Sequence, residues 1–133
     1  MFLGTNPDIS VCHFKLNVLN KGSFFINDKG FILTGELLDY LTIFFNSRLF
    51  RFCFKEYFPE LLGEARELRK VFFEKINIKR IENDTWYTEI LKLIISHKKS
   101  GLSIEPLQIQ IDEKLFELYQ LTKEDRELIL MAL

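Results

Sequence analysis

The apolar positions of this chain change their spacing along its length. Over 22–35, "GSFFINDKGFILTG", the runs Phe24-Phe25-Ile26 and Phe31-Ile32-Leu33 flank Asn27-Asp28-Lys29-Gly30. Aromatic and β-branched runs around turn residues predict a β-hairpin over about 22–34. The partly alternating "VCHFKLNVL" upstream is compatible with another strand. Beyond it the spacing becomes helical, with Leu37, Leu41, Phe44 and Phe45 on one face. Thr34 is the expected N-cap of that helix and Glu36 its first-turn acid, where the helix dipole favours a negative charge. Asn46-Ser47 predicts an end or a bend. A second helix is expected from about 48 to 57, stopping before Pro59.

Further along, "EARELRKVFFEKI" (64–76) reads as helical and "INIKRI" (76–81) as extended. Trp86, Ile90, Leu93 and Ile94 define one amphipathic face, and Ile111, Leu115, Leu118 and Tyr119 another, with Ser100-Gly101 breaking the helices apart. Thr122-x-x-Asp125 resembles a capping box, with Asp in place of the usual Glu or Gln. The fold class expected is therefore α+β, a small N-terminal β portion followed by a mostly helical C-terminal half. The 133 residues suit a single domain, 1–133.

Charge refines this picture. The net charge of −1 conceals an uneven distribution. Residues 1–47 carry 3 basic and 4 acidic side chains, residues 48–80 carry 9 and 5, and residues 81–133 carry 6 and 10. A basic middle can bind a polyanion locally although the total is near zero. On a helix, Arg48, Arg51 and Lys55 fall in one narrow stripe, with Leu49, Phe50, Cys53, Phe54 and Tyr57 on the other side. Arg66, Arg69 and Lys70 repeat the pattern opposite Ala65, Leu68, Phe72 and Ile76. Aromatic-backed guanidinium stripes suit phosphate contacts. Pairing of these cations with Glu56, Glu60, Glu64, Glu67 and Glu74 accounts for the same pattern equally well.

Catalytic chemistry is not legible. Cys12 and Cys53 lack disulfide-framework or zinc spacing, and His13 and His97 have no metal-ligand neighbour at the usual spacing. There is no glycine-rich phosphate loop and no nucleophile elbow. Asp112, Glu113 and Lys114 read as solvent-face charges of an amphipathic helix. No basic-then-apolar leader is present, and the apolar region 37–54 is interrupted by Asp39, Asn46, Arg48 and Arg51, too polar for a membrane span. A cytoplasmic, non-membrane protein without a metal or cofactor of its own is expected.

The stretch "GFILTGELLDYLTIFFNSRLFRFCFKEYFPELLGEARELRKVFFEKINIK" resembles the TaqI-like C-terminal specificity domain of type II (type IIG) restriction-modification enzymes. In that family Thr-Gly leads to a helix with a Tyr-Leu pair and then to Leu-Asn-Ser-(Lys/Arg)-Leu-Phe. A basic stretch, Phe-x-Glu-Lys-Ile and a Pro-Ile-Pro exit follow. The counterparts here are Thr34-Gly35, Tyr40-Leu41, Asn46-Ser47-Arg48-Leu49-Phe50, Arg69-Lys70 and Phe72-Phe73-Glu74-Lys75-Ile76. "IDEKLFELYQLTKEDRELI" is similar to the family's closing Leu-Tyr-Gly-Leu-Thr run before an acidic helix start. The likeness covers about residues 22–130. It departs at Phe45 (leucine in the family), at Asn77 and Lys79 (prolines) and at Gln120 (glycine).

The resemblance implies a domain that reads a short DNA sequence for an adenine methyltransferase, often fused to a nuclease. The methyltransferase signature Asn-Pro-Pro-Tyr is absent, so the chain is expected to be the non-catalytic recognition part of a larger enzyme. Residues 1–80 would be the target-recognition part and 81–133 a helical C-terminal part packed on the rest of the enzyme or turned from DNA. The implied partners are double-stranded DNA and the methyltransferase/nuclease part. S-adenosylmethionine and magnesium would belong to the catalytic parts. The family's base readers lie in variable loops unmarked by motif, so the candidate DNA contacts come from helix geometry: Arg48, Arg51, Lys55, Arg66, Arg69 and Lys70. For most of them phosphate positioning is expected over base reading. The alternative is a protein–protein interaction module with no direct DNA contact.

Overall fold

The computed structural model describes residues 35–57 and 77–132. Among them are five helices: α1 (Leu38–Phe45), α2 (Arg48–Tyr57), α3 (Thr85–Lys99), α4 (Glu105–Leu118) and α5 (Lys123–Met131). The chain divides into two compact units, one of Met1–Glu36 with Phe54–Asn77, the other of Leu37–Cys53 with Ile78–Leu133. The second, helical unit holds nearly all the described residues. The chain leaves it after Cys53 and returns at Ile78.

The α+β expectation is corrected: the described residues are helical and contain no strand. Its β portion rested on the hairpin over 22–34, which lies outside the described residues, as does the 64–76 helix. The "INIKRI" segment can be judged over 77–81, where it is irregular and unpaired with any strand. Side chains take the backbone groups of its Lys79 instead, the N–H donating to Tyr119 Oη and the carbonyl accepting from Tyr40 Oη. The first helix is also corrected at its start. Glu36 precedes it rather than filling its first turn, and Leu37 sits at the N-cap with φ 57°. Gly35, at φ 134°, occupies a conformation that disfavours any Cβ.

The helix break at 46–47 follows from local chemistry. Asn46 ends α1, its Nδ2 donating to the Thr42 carbonyl at 2.7 Å. Ser47 then caps α2: its Oγ accepts from the Phe50 N–H at 3.1 Å while donating to the Phe44 carbonyl at 2.6 Å. One hydroxyl therefore serves both helix ends: it satisfies the Phe50 N–H and adds a second donor to the Phe44 carbonyl, which also accepts the Ser47 N–H at 3.1 Å.

α1 is apolar almost all round and is buried accordingly, with Tyr40, Ile43, Phe44 and Phe45 all in the core. It packs on α3, which packs on α4. Phe44, Phe45 and Phe50 form mutual ring contacts at centroid distances of 5.0–5.6 Å. Such pairs contribute roughly 0.5–1.5 kcal/mol each beyond the area they bury. The core face of α3 is Tyr87, Ile90, Leu91 and Ile94; Ile90 and Ile94 are buried as expected, whereas Trp86 is half-buried and Leu93 exposed. Thr88 Oγ1 donates to Asp39 Oδ2 at 2.7 Å and ties α3 to α1.

α3 and α4 end in the same manner. After α3, Leu102 N–H bonds the His97 carbonyl and Gly101 N–H the Lys98 carbonyl, with Gly101 at φ 69°. After α4, Leu121 N–H bonds the Phe116 carbonyl and Gln120 N–H the Glu117 carbonyl, with Gln120 at φ 54°. Both are Schellman motifs, whose left-handed residue is usually glycine. The expected capping box of α5 is present, Thr122 Oγ1 accepting from Asp125 N–H and Asp125 Oδ2 from Thr122 N–H.

Candidate nucleic-acid interface

Of the six candidate cations, Arg48, Arg51 and Lys55 lie on described helix α2, while Arg66, Arg69 and Lys70 lie outside the described residues. The faces expected of α2 are seen in part, with Cys53 half-buried and the side chain of Tyr57 outside the described residues. Leu49, Phe50 and Phe54 are buried, whereas Lys55 is exposed and Arg51 half-buried. The core therefore fixes the rotation of this helix and hence of its basic stripe.

Arg48 has a different environment from Lys55. Its Nη2 lies 2.6 Å from Glu105 Oε1, and its Nη1 lies 3.1 Å from Asp112 Oδ2. The guanidinium thus bridges α2 to two turns of α4. The Glu105 carboxylate is largely exposed, at 60%, so that arm contributes little, on the order of 0–1 kcal/mol. Asp112 is different, since its side chain is only 5% exposed.

The expectation that Asp112 faces solvent is corrected: it is buried on α4 beside Ile111, Leu115 and Phe116. Glu113 and Lys114 are exposed, as expected. Burial pushes the Asp112 carboxyl up to about 6, opposed by the Arg48 charge and a weaker contact from Gln108, and reinforced by Glu105. Neither carboxylate oxygen has a hydrogen bond of good geometry. A desolvated acid held by one cation makes Arg48 a structural counter-charge first, and limits what it can offer a phosphate.

A second constellation escaped sequence reasoning. Tyr40 Oη lies 3.3 Å from Tyr119 Oη, and both grip Lys79. Phe44 stacks on Tyr119 at 5.8 Å, and Tyr87 meets Tyr40 edge-on at 4.9 Å. The clue in the sequence was limited to the placement of both tyrosines in segments that carry the family resemblance.

Among the described residues no group of three or more His, Cys, Asp or Glu side chains is arranged to hold a metal ion. His97 instead places Nδ1 2.9 Å from the Ser103 carbonyl, bracing the turn after α3. Among the same residues no helix is long and apolar enough to cross a membrane. Comparison with protein-family models, curated proteins and solved structures gives no match. The resemblance to specificity domains rests on the sequence motifs alone.

Proposed function

We propose that this chain is the DNA target-recognition part of a type IIG-like restriction-modification enzyme, positioning an adenine methyltransferase and nuclease on a short DNA sequence in the cytoplasm. The observation that carries the reading is that separate motif segments converge on positions demanding their residue types. Asn46 and Ser47 form a double cap, and Leu49 and Phe50 fill the core behind it. Tyr40 and Tyr119, from motif segments at opposite ends of the resemblance, meet at their hydroxyls. Gln120 stands where the family has glycine, and its φ of 54° is one that glycine adopts without strain.

In this reading Arg51, Lys55, Arg66, Arg69 and Lys70 supply phosphate contacts, and Arg48 holds α2 against α4. S-adenosylmethionine and magnesium serve the catalytic parts of the enzyme, outside this chain. The exposed Leu93, Ile109, Leu128 and Leu130 suit contact with another protein surface, which is where the protein-interaction alternative finds its support. Titration of a labelled DNA duplex at several salt concentrations separates the two. Phosphate neutralisation predicts log K falling linearly with log salt, by roughly 0.9 per contact. Absence of DNA binding at low salt by the folded chain would favour the interaction module.

A further inference from the structure

The hydrogen bonds around Lys79 close into a circuit. Its N–H donates to Tyr119 Oη at 2.9 Å, and its carbonyl accepts from Tyr40 Oη at 2.8 Å. Tyr40 has spent its only proton on that carbonyl, so Tyr119 donates across the 3.3 Å between the two hydroxyls. Every hydroxyl both gives and receives, an arrangement in which each bond polarises the next. The Lys79 ammonium adds a further bond to the Leu118 carbonyl at 2.8 Å, next to the end of α4. Tyr40 is fully buried, and burial together with the Tyr119 contact raises its pKa, keeping it in the protonated, donating form.

The location gives the circuit its meaning. Lys79 is the second residue after the chain returns to the helical unit at Ile78. Its partners lie 39 and 40 residues away in sequence, on α1 and at the end of α4. In the motif this segment resembles, positions 77 and 79 are prolines, stiff in φ but without an N–H to donate. Here Asn77 and Lys79 lack that stiffness, and Lys79 regains the missing donor.

We propose that the Tyr40–Tyr119–Lys79 circuit is a clamp that fixes the point where the chain returns to the helical unit. Tyr40 and Tyr119 are thereby positioning residues for target recognition, a consequence that rests on the DNA-recognition reading. Two lone hydroxyls accomplish what a neighbouring strand would do for this peptide.

The test uses the full 133-residue chain, carrying Tyr40→Phe with Tyr119→Phe, and Tyr119→Phe alone in case the double variant does not fold. The single change removes the acceptor for Lys79 N–H and keeps the ring on Phe44. Amide exchange resolved by residue should show Lys79 exchanging about tenfold faster, with α1, α3 and α4 core amides unchanged. Binding to a selected duplex and to a scrambled one should show discrimination falling several-fold at an unaltered salt slope. Unchanged Lys79 exchange in a folded variant overturns the clamp. Faster exchange with full discrimination overturns the positioning role. Failure of the unmodified chain to bind DNA would overturn the recognition reading and the positioning role with it, while Lys79 exchange still decides the clamp.

Discussion

Replacing Asp112 with asparagine should not weaken this protein at neutral pH, although Asp112 is half of a buried ion pair. Its carboxyl is raised by burial from 3.8 to about 6 in spite of Arg48. Between those values the folded state holds a proton that the unfolded state has released. Stability from this group is therefore full below about pH 4 and is lost as pH rises through 6. By pH 7 the accumulated penalty is about 3 kcal/mol, at roughly 1.4 kcal/mol for each pH unit between the two values. Asparagine keeps the shape and removes the charge. Asp112→Asn should therefore match or exceed the parent at pH 7, by up to about 3 kcal/mol, and flatten the pH dependence between 4 and 6. Arg48→Ala should do the opposite: without the cation the buried carboxyl takes up a proton, at a cost of about 1–2 kcal/mol at pH 7 that shrinks by pH 5. In the Asp112→Asn background the same Arg48→Ala should cost under about 1 kcal/mol, because only the exposed Glu105 arm remains. Urea unfolding midpoints across pH 4–8 for the parent, both single variants and the double variant form the assay. A loss of several kcal/mol for Asp112→Asn at pH 7 would refute the reasoning and show the pair to be net stabilising.

Ser47→Ala removes a cap that bonds both Phe50 N–H and the Phe44 carbonyl, so thermal or urea melting should show a loss of about 1–2 kcal/mol. Gln120→Gly should raise stability by roughly 1 kcal/mol, since a left-handed φ of 54° costs glycine nothing; a lower melting midpoint would contradict the Schellman assignment. Arg51→Ala with Lys55→Ala should leave the helical core folded and reduce the salt slope of DNA binding by roughly one unit per lost contact. An unchanged slope would place both residues off the DNA.

Local rules made much of the helical unit legible. The 46–47 junction, the limits of α2 and the capping box of α5 rest on chemistry within a few residues of each other, and the sequence displays them directly. The α3 face was only partly legible because apolar residues crowd 86–95, so two overlapping faces that share Ile90 and Ile94 fit the same spacing. The choice fell to Tyr87 because its ring meets Tyr40, a partner no periodicity reveals. Asp112 failed for the same reason in reverse. A charge in an amphipathic pattern reads as solvent-facing, and only Arg48, arriving from another helix, makes its burial tolerable. For Arg48, a resemblance and a helical stripe both drew attention to a residue that matters, and among the described residues it pairs with Glu105 and Asp112 on another helix. The Lys79 clamp was invisible because it joins three residues through backbone groups and hydroxyls that carry no pattern.

DNA recognition is tested most directly by selecting duplexes with a randomised core on the immobilised chain, followed by sequencing and a salt titration on the enriched duplex. Enrichment of one short sequence is expected, with affinity falling linearly in log salt and exceeding that for a scrambled duplex of equal length. A folded chain that enriches no sequence and binds no duplex at low salt would contradict the assignment.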